Sequence, residues 1–327
     1  MTTIREIADL AGVSSATVSK VINGKDQNIS SETRRRILKI VEKEGYIPNG
    51  VAKSLRIKNT KTIGLMVPDV TNLFFSEVAK GIEDAASKRG YSLILCNTDN
   101  KENKERMYLK ILQEKKVDGL IITASHSNLG DQLDKVSTPV VLVDRDVNTT
   151  KSVGRITVDN VTGGRLAAEK LMDVGCKSIA HITAELENKP AAERYKGFLE
   201  SLEENSIIFE KAGLHTGYFI VETGYQGIME LSKRIEFDGV FCGNDLIAIG
   251  AVKALKELGK RIPEDVAVIG FDDIALSQYV DPPLTTIRQP IYKLGESAVK
   301  LLLEMIETGA SDGAVVLHPE LVERMSC

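Results

Sequence analysis

Apolar residues recur at helical spacing in three short segments at the start of the chain. The pattern predicts one helix over 4–11, a second from an N-cap at Ser14 to a stop at 23–24, and a third over about 31–44. The inner apolar stripes are Ile4, Ile7, Ala8 and Ala11 in the first helix, Val18, Val21 and Ile22 in the second, and Ile37, Leu38, Ile40 and Val41 in the third. Two short helices joined by a glycine turn are typical of a helix-turn-helix head.

Residues 46–61 interrupt this periodicity. Pro48 and Gly50 are breakers, basic residues are spread throughout, and only 50–56 keeps a short apolar helical pattern. This segment is therefore predicted to be a linker that contains a marginal helix.

After residue 61 the pattern changes to continuous apolar runs that alternate with amphipathic helices. Strands are predicted at "TIGLMVP", "YSLILC", "VDGLIIT" and "VVLVD", with helices at about 73–89, 101–115 and 128–135. A similar series follows, with "SIAHIT", a helix over 191–205, "DGVFC", a helix over 244–258, and "DVAVIGFD". Strands that are apolar on both faces are typical of parallel sheets covered by helices. We expect two doubly wound α/β subdomains of similar topology that face each other across a cleft.

The expected domains follow from these changes of pattern. They are 1–46 for an all-α helix-turn-helix head, 47–61 for a hinge helix and linker, and 62–327 for an α/β body. Within the body, one subdomain is expected to take about 62–160 with 290–320, and the other about 161–289 with the C-terminus.

Composition and charge narrow the class of protein. With 43% apolar and 27% charged residues and no apolar run near the roughly 18 residues of a membrane span, we expect a soluble, cytoplasmic protein without a signal peptide. The four cysteines lack the spacing of a zinc or redox site, so no metal or cofactor is expected. Residues 1–60 carry a net charge of +5, whereas the whole chain carries −4. A basic head on an acidic body is typical of a DNA-binding module joined to another domain.

The second predicted helix has small and polar residues on its outer side, as expected of the recognition helix that enters the major groove. Base edges and phosphates are the two kinds of partner for such residues. The residues predicted to contact DNA are Ser15, Ala16 and Lys20, for base edges, and Thr17, Ser19 and Asn23, for phosphates. A plain three-helix bundle with a polar face is the alternative, and the basic charge of head and linker favours DNA binding.

Polar and aromatic side chains follow the apolar strands of the body, where doubly wound sheets bind ligands. The candidates are Asn72, Phe74, Phe75, Asp144, Arg145, Arg194, Asn244, Asp272 and Gln289, with Phe219 as a further ring. Each has a structural explanation of its own, as a helix cap, a core ring, a salt bridge or a turn residue. Together they favour a small polyhydroxyl ligand, because rings cover its apolar faces and forked polar groups bind adjacent hydroxyls.

Several motifs resemble the lactose-repressor (LacI/GalR) family. They are "TIREIADLAGVSSATVSKVING", "YIPNGVAKSLR", "CGNDLIAIGAVKAL", "VAVIGFDD" and "PPLTTIRQP", so the resemblance spans essentially the whole chain. It implies that Ser15, Ala16 and Lys20 are base readers and that 51–56 form a hinge helix in the minor groove. The DNA contacts that it implies in the hinge are Ala52, Leu55 and Arg56, with Leu55 as the apolar wedge.

The candidate set of the body resembles the pocket of the periplasmic ribose-binding proteins. The two resemblances imply a homodimeric regulator of sugar-utilisation genes, acting as a repressor at a pseudo-palindromic operator and controlled by a ribose-like monosaccharide. A sugar phosphate or a purine is the alternative effector, and a sugar receptor without a DNA role is the alternative class. An enzyme is not expected, because the chain lacks a P-loop, a G-x-S-x-G elbow, a G-x-G-x-x-G motif and a metal-spaced histidine cluster.

Overall fold

A computed structural model of the protein describes residues 2–46, 59–124, 129–309 and 313–327. The chain divides into two compact units between Thr60 and Lys61. The three predicted hinge contacts, Ala52, Leu55 and Arg56, lie outside the described residues. No helix within the described ranges combines the length and the apolar character of a membrane span.

The described part of the first unit contains three helices, α1 (Ile4–Ala11), α2 (Ser15–Ile22) and α3 (Ser31–Lys43). Each begins after a hydroxyl residue whose side-chain oxygen accepts a hydrogen bond from the backbone N–H three positions further on. These N-caps are Thr3, Ser14 and Ser30. Gly12 ends α1 at φ 63°, a left-handed conformation that glycine adopts without a Cβ clash, and so makes the turn into α2.

The core of the head lies between these helices and matches the predicted stripes at most positions. Buried residues are Ile7, Ala8, Ala11, Val18, Val21 and Ile37, and Ile4, Ile22, Ile40 and Val41 pack against them. The prediction for Leu38 is wrong, because 43% of this residue is exposed. Successive residues of a helix are about 100° apart, so Leu38 falls outside the stripe that Ile37, Ile40 and Val41 define.

The second unit contains two six-stranded sheets, each with helices on both faces. The elements of the first half are β1 (Thr62–Val67), α4 (Leu73–Ser87), β2 (Ser92–Asn97), α5 (Glu102–Glu114), β3 (Gly119–Ile122), α6 (Gly130–Leu133), β4 (Val140–Val143) and β5 (Gly154–Val158). Those of the second half are α7 (Asn160–Asp173), β6 (Ile179–Ala184), α8 (Lys189–Glu204), β7 (Leu214–Gly217), α9 (Val221–Leu231), β8 (Gly239–Cys242), α10 (Asp245–Glu257), β9 (Ala267–Asp272) and β10 (Thr285–Arg288). The chain ends with α11 (Ile291–Thr308), β11 (Gly313–Leu317) and β12 (Glu320–Val322).

The strand orders are β11-β5-β4-β3-β1-β2 in the first sheet and β12-β10-β9-β8-β6-β7 in the second. All neighbours are parallel except β12, which runs antiparallel to β10. The chain therefore passes from one sheet to the other after β5, after β10 and after β11. Two doubly wound parallel sheets confirm the predicted fold class, with β12 as an antiparallel edge.

Glycines bring helices of the body into close contact in pairs. A Cβ on Gly164 of α7 would lie 1.9 Å from the Arg194 carbonyl oxygen of α8, and a Cβ on Gly197 of α8 would lie 1.9 Å from the Val161 carbonyl oxygen. A real Cβ atom cannot lie so close to an oxygen atom. The two helices can therefore pack this closely only because neither residue has a side chain. The backbones of α7 and α8 consequently touch, which fixes where the side chain of Arg194 begins.

Candidate functional site

The outer side of α2 carries the residues that the sequence predicts to contact DNA. Ala16, Lys20 and Asn23 are exposed, and Ser15, Thr17 and Ser19 are half-buried. Two of the six also hold the helix ends. The Thr17 hydroxyl lies 2.9 Å from that of Ser14, and the Asn23 side-chain amide donates to the Ser19 carbonyl oxygen at 2.7 Å. Ser15, Ala16 and Lys20 have no such local bond among the described residues, and the exposed Ala16 and Lys20 are open to a partner.

The candidate residues of the body lie at the carboxyl ends of strands and on the adjoining helices, in both subdomains. Asn72 follows β1 and Asn244 follows β8, and each caps the next helix. The Asn72 Oδ1 accepts from the Phe74 backbone N–H at 3.0 Å, and the Asn244 Oδ1 accepts from the Ile247 N–H at 2.9 Å. Both asparagines are buried. Each sheet therefore places a buried capping asparagine at the carboxyl end of one of its strands.

Arg194 is the most highly connected member of the set. Its guanidinium stacks on the Phe271 ring with its central carbon 3.7 Å from the ring centroid. Its Nε donates to Asn160 Oδ1 at 2.9 Å, and one terminal nitrogen, Nη1, donates to the Gly243 carbonyl oxygen at 2.7 Å. The same nitrogen lies 3.7 Å from Asp272 Oδ1, and only 3% of the residue is exposed. This buried cation is thus fixed on several sides by the fold.

Phe219, which follows β7, is half-buried and lies beside the same arginine. The central carbon of the Arg194 guanidinium is 5.5 Å from the centroid of the Phe219 ring. This position is consistent with the prediction that Phe219 adds a ring to the candidate set.

Asp272 and Gln289 form a buried pair at the ends of β9 and β10. The Gln289 side-chain amide donates to Asp272 Oδ1 at 2.6 Å. Asp272 has a φ of 114°, an uncommon conformation for a residue with a side chain and of a kind that concentrates at functional sites. Within the described residues, Gln289 Oε1 is buried without a hydrogen-bond partner. The pair therefore offers an unsatisfied acceptor beside a carboxylate.

Asp144 and Arg145 directly follow β4, a strand of the first sheet. The Arg145 Nε lies 3.7 Å from Asp144 Oδ2, and the guanidinium carbon lies 5.5 Å from the centroid of the Phe75 ring. Asp144 also has a positive φ, of 65°. Among the described residues, the buried Arg145 Nε has no hydrogen-bond partner.

Phe74 and Phe75 start α4 and are almost fully buried in the core of the first sheet. Their rings meet edge to face, with centroids 5.0 Å apart and planes 80° apart. They are core residues, and Phe75 also borders the candidate site through Arg145.

Burial dominates the electrostatics of the four charged members. It raises the pKa of Asp144, and Arg145 and Arg194 oppose this shift. It also raises the pKa of Asp272 to about 8, with Arg194 again opposing it. Burial lowers the pKa of both arginines, and the neighbouring carboxylates raise it. Arg194 interacts electrostatically with Asp144, Arg145 and Asp272, so charged residues that follow strands of both sheets belong to one site.

Asp245, which the sequence analysis does not single out, holds the loop behind Asp272. Its carboxylate accepts hydrogen bonds from the Ile274 backbone N–H at 2.9 Å and from the hydroxyls of Ser277 and Thr286, each at 2.6 Å. It is fully buried, and burial raises its pKa to about 6. The residues that follow β9 are thereby tied to the start of α10 and to β10.

Asn160 and Phe271 are two further residues that the prediction misses, although both contact the Arg194 guanidinium. Asn160 follows β5, so the rule that ligand residues follow strands applies to it. Phe271 lies inside β9, where an apolar residue gives no signal beyond core packing.

Comparisons with known proteins agree with this architecture. The model for bacterial regulatory proteins of the lacI family matches residues 3–49, and a model for a periplasmic binding protein-like domain matches residues 168–327. A ribose operon repressor of Halalkalibacterium halodurans is 41% identical over 309 residues, which cover 94% of this chain and 91% of that protein. The chain belongs to the LacI family of bacterial regulatory proteins. This confirms the resemblance seen in the sequence and identifies the head as a DNA-binding module.

Other relatives of this LacI-family regulator carry names that refer to different ligands or operons. The HTH-type transcriptional repressor PurR of Vibrio vulnificus is 39% identical over 329 residues, covering 99% of this chain and 98% of that protein. Among solved structures, the lac repressor dimer bound to operator and an anti-inducer has a TM-score of 0.90 and 28% identity, covering 99% of this chain and 98% of that one. A LacI-family regulator from Enterococcus faecium with bound ribose has a TM-score of 0.73 and 35% identity, covering 81% of this chain and 98% of that one.

Proposed function

We propose that this LacI-family regulator represses sugar-utilisation genes and that its effector is ribose or a similar free monosaccharide, bound in the cleft of the body. The observation that carries the proposal is a pair of buried, unsatisfied polar atoms in this set, the donor Arg145 Nε and the acceptor Gln289 Oε1. Such a pair suits an uncharged ligand whose hydroxyls both donate and accept hydrogen bonds.

The unsatisfied polar atoms of the cleft support a ligand with hydroxyl groups. Arg145 Nε is a buried donor and Gln289 Oε1 is a buried acceptor, and within the described residues neither has a hydrogen-bond partner. A hydroxyl both donates and accepts, so adjacent sugar hydroxyls meet both requirements. A sugar phosphate fits less well, because the set holds no cationic side chain beyond its two arginines, and each of these already lies near a carboxylate.

The relatives support the same effector class, with one alternative. One relative is a ribose operon repressor, and one structural neighbour contains bound ribose. The 39% identity to a PurR repressor favours a purine as the second candidate, and the Phe219 ring beside Arg194 offers a surface on which a purine could stack.

We propose the predicted residues as the contacts. In the body these are Asn72, Phe74, Phe75, Asp144, Arg145, Arg194, Phe219, Asn244, Asp272 and Gln289. In the head and hinge they are Ser15, Ala16 and Lys20 on base edges, Thr17, Ser19 and Asn23 on phosphates, and Ala52, Leu55 and Arg56 in the minor groove.

The regulator is further proposed to bind a pseudo-palindromic operator as a homodimer, because one helix-turn-helix reads one half-site. The lac repressor neighbour, which is a dimer bound to operator, supports this assembly. The role is binding rather than catalysis, and the cytoplasm is its site of action because operator DNA is there.

A thermal-shift screen of the full chain tests the effector class. Pentoses, hexoses, their phosphates and purine bases are added singly at the same concentration. D-ribose or a related pentose is expected to raise the melting temperature, because a ligand that binds only the folded state stabilises it. Stabilisation by a purine or a phosphosugar, with none by any free sugar, would contradict the proposal.

A further inference from the structure

Asn160 lies where the chain first passes from one sheet of the body to the other. It is the first residue of α7, directly after the crossover from β5, and only 2% of it is exposed. Its side-chain amide donates to the Val158 carbonyl oxygen and to Glu193 Oε2, both at 3.2 Å. Its Oδ1 accepts from Arg194 Nε at 2.9 Å. One buried side chain therefore joins the end of the first sheet to the arginine of the candidate site.

Backbone packing brings Asn160 to this arginine. Because Gly164 and Gly197 lack side chains, α7 and α8 are in backbone contact, with the Arg194 carbonyl group over Gly164. The start of α7 is then one turn away from the base of the Arg194 side chain. The contact follows from the helix pairing itself and persists as long as the two helices are packed.

The bond to Asn160 determines which way the guanidinium faces. The Phe271 ring holds the plane from one side, and the Gly243 carbonyl oxygen binds one terminal nitrogen. With Asn160 on Nε, two of the five N–H donors of the arginine are occupied. The other three N–H donors have no hydrogen bond to the protein among the described residues, and Nη1 lies 3.7 Å from Asp272 Oδ1. Phe271 and Gly243 belong to the second sheet, so Asn160 is the link that orients the group relative to the first.

We propose that Asn160 is a positioning residue for Arg194, holding the guanidinium in the orientation that binds the effector. This inference rests on the proposed function, since it assumes that Arg194 contacts a sugar. It adds a residue that is expected to touch Arg194 rather than the ligand.

Two substitutions separate positioning from a structural role. Asn160→Ala removes the acceptor of Arg194 Nε together with both amide bonds. Asn160→Asp keeps an acceptor for Arg194 but places a carboxylate against Glu193 and the Val158 carbonyl oxygen. If Asn160 positions Arg194, the alanine variant loses about tenfold or more in D-ribose affinity, whereas the aspartate variant stays within about threefold of the parent. The order of stability is expected to be the reverse. Asn160→Asp is expected to unfold at a lower urea concentration than Asn160→Ala, because its new carboxylate faces the carboxylate of Glu193 and the Val158 carbonyl oxygen.

Titration calorimetry with D-ribose measures the affinity of each variant, and urea unfolding of the full chain measures its stability. Asn205→Ala is the matched control: Asn205 also bonds a carbonyl oxygen, that of Ser201 at 2.9 Å, but at the far end of α8. It is expected to keep the parent's ribose affinity. Equal losses of affinity in Asn160→Ala and Asn160→Asp, or parental affinity in Asn160→Ala, would overturn the proposal.

A ligand-free measurement distinguishes this proposal from the proposed function. The Nε–H resonance of Arg194, assigned by its absence in Arg194→Lys, is expected to exchange slowly with water in the parent and in Asn160→Asp. In Asn160→Ala it is expected to be broadened or lost. If the parent binds no ribose but the three proteins show this pattern, ribose is not the effector, and the role of Asn160 in positioning Arg194 stands. An unchanged resonance in Asn160→Ala contradicts the positioning role.

Discussion

Arg194 is the residue on which the candidate site depends most. Arg194→Ala and Asp272→Ala are each expected to lower ribose affinity by about tenfold or more, because each leaves a buried, charged partner unpaired. Titration calorimetry with D-ribose measures the loss. Arg165→Ala is the control, since Arg165 lies on α7 and pairs with Glu204 at the surface. A Kd for Arg194→Ala equal to that of the Arg165→Ala control would show that Arg194 does not contact the ligand.

His181 gives the body a defined dependence on pH. Its ring is fully buried, stacks on Phe241 with centroids 4.6 Å apart, and its Nδ1 lies 2.9 Å from the Phe241 carbonyl oxygen. Burial lowers the pKa of His181 to about 4 from an ordinary value of 6.5. Because the folded state resists protonation, its stability contribution is complete above about pH 6.5 and is lost as the pH falls toward 4.

The expected loss from His181 between pH 7 and pH 5 is about 2 kcal/mol of unfolding free energy, by linkage. His181→Gln removes this titration, so its unfolding free energy is expected to fall by that much less over the same range. Urea unfolding followed by circular dichroism measures both proteins. His318→Gln, at a side chain that is 79% exposed, serves as the control and is expected to follow the parent. A pH dependence in His181→Gln identical to the parent's would contradict the assignment.

At the scale of residues, the sequence predicts a role in the candidate site for those side chains that directly end or follow an apolar strand. Asp144, Asn244 and Asp272 each end or follow an apolar run, so the strand-end rule finds them. Asn160 and Asp245 also follow strands, but what each side chain does depends on partners that are distant in sequence. Arg194 is 34 positions from Asn160, and Thr286 is 41 positions from Asp245. Only the folded chain brings these partners together.

The pairing of α7 with α8 is the element that aligns Arg194. Alanine normally favours a helix over glycine by about 1 kcal/mol. Gly164→Ala is nevertheless expected to destabilise the body by about 1–3 kcal/mol, because its Cβ collides with backbone that has no room to move. It is also expected to weaken ribose binding by displacing Arg194. Asp173→Ala, at the exposed end of α7, is the control for urea unfolding and calorimetry. A Gly164→Ala protein as stable as the parent would contradict the close packing.

The start of α2 is the element on which the presentation of the DNA-contacting residues depends. The Ser14 Oγ accepts from the Thr17 backbone N–H at 3.2 Å. Ser14→Ala is expected to destabilise the head by about 1 kcal/mol, the usual cost of losing a helix cap. Lys20→Ala, at an exposed position of the same helix, is expected to leave the melting temperature of the head unchanged and to weaken operator binding. The opposite pattern, in melting curves and gel-shift titrations, would contradict these roles.

At the scale of elements, strong apolar runs are predicted well and edge strands are not. The predicted helices near α4, α5, α8 and α10 agree with the structure to within two residues. β7 is missed because it lies at a sheet edge and all four of its residues are only half-buried, so it has no continuous apolar run. β12 is missed because it has three residues, none of which is buried. The prediction also misses α9, α11, β5 and β10, although α11 has clear helical apolar spacing.

The whole molecule combines a basic head with a body whose two sheets are joined by three crossovers. A ligand that contacts residues of both sheets favours one relative arrangement of the two, as in other hinged binding proteins. We propose that in a dimer this arrangement is coupled to operator binding by the two heads. Coupling of this kind is reciprocal, so a sugar that changes operator affinity is itself bound differently by the DNA complex.

The last prediction concerns this coupling in the intact dimer. A two-fold symmetric operator is expected to bind about 100-fold or more tightly than a single half-site, because the second head binds from an already tethered position. D-ribose is expected to change operator affinity by about 5-fold to 150-fold, the usual range of allosteric coupling. Asp272→Ala should keep parental operator affinity and lose the ribose response, since Asp272 lies in the body and not in the head. Gel-shift titrations at fixed salt, with sedimentation to establish the dimer, measure all three. Equal affinity for half-site and full site, or a full ribose response in Asp272→Ala, would contradict this model.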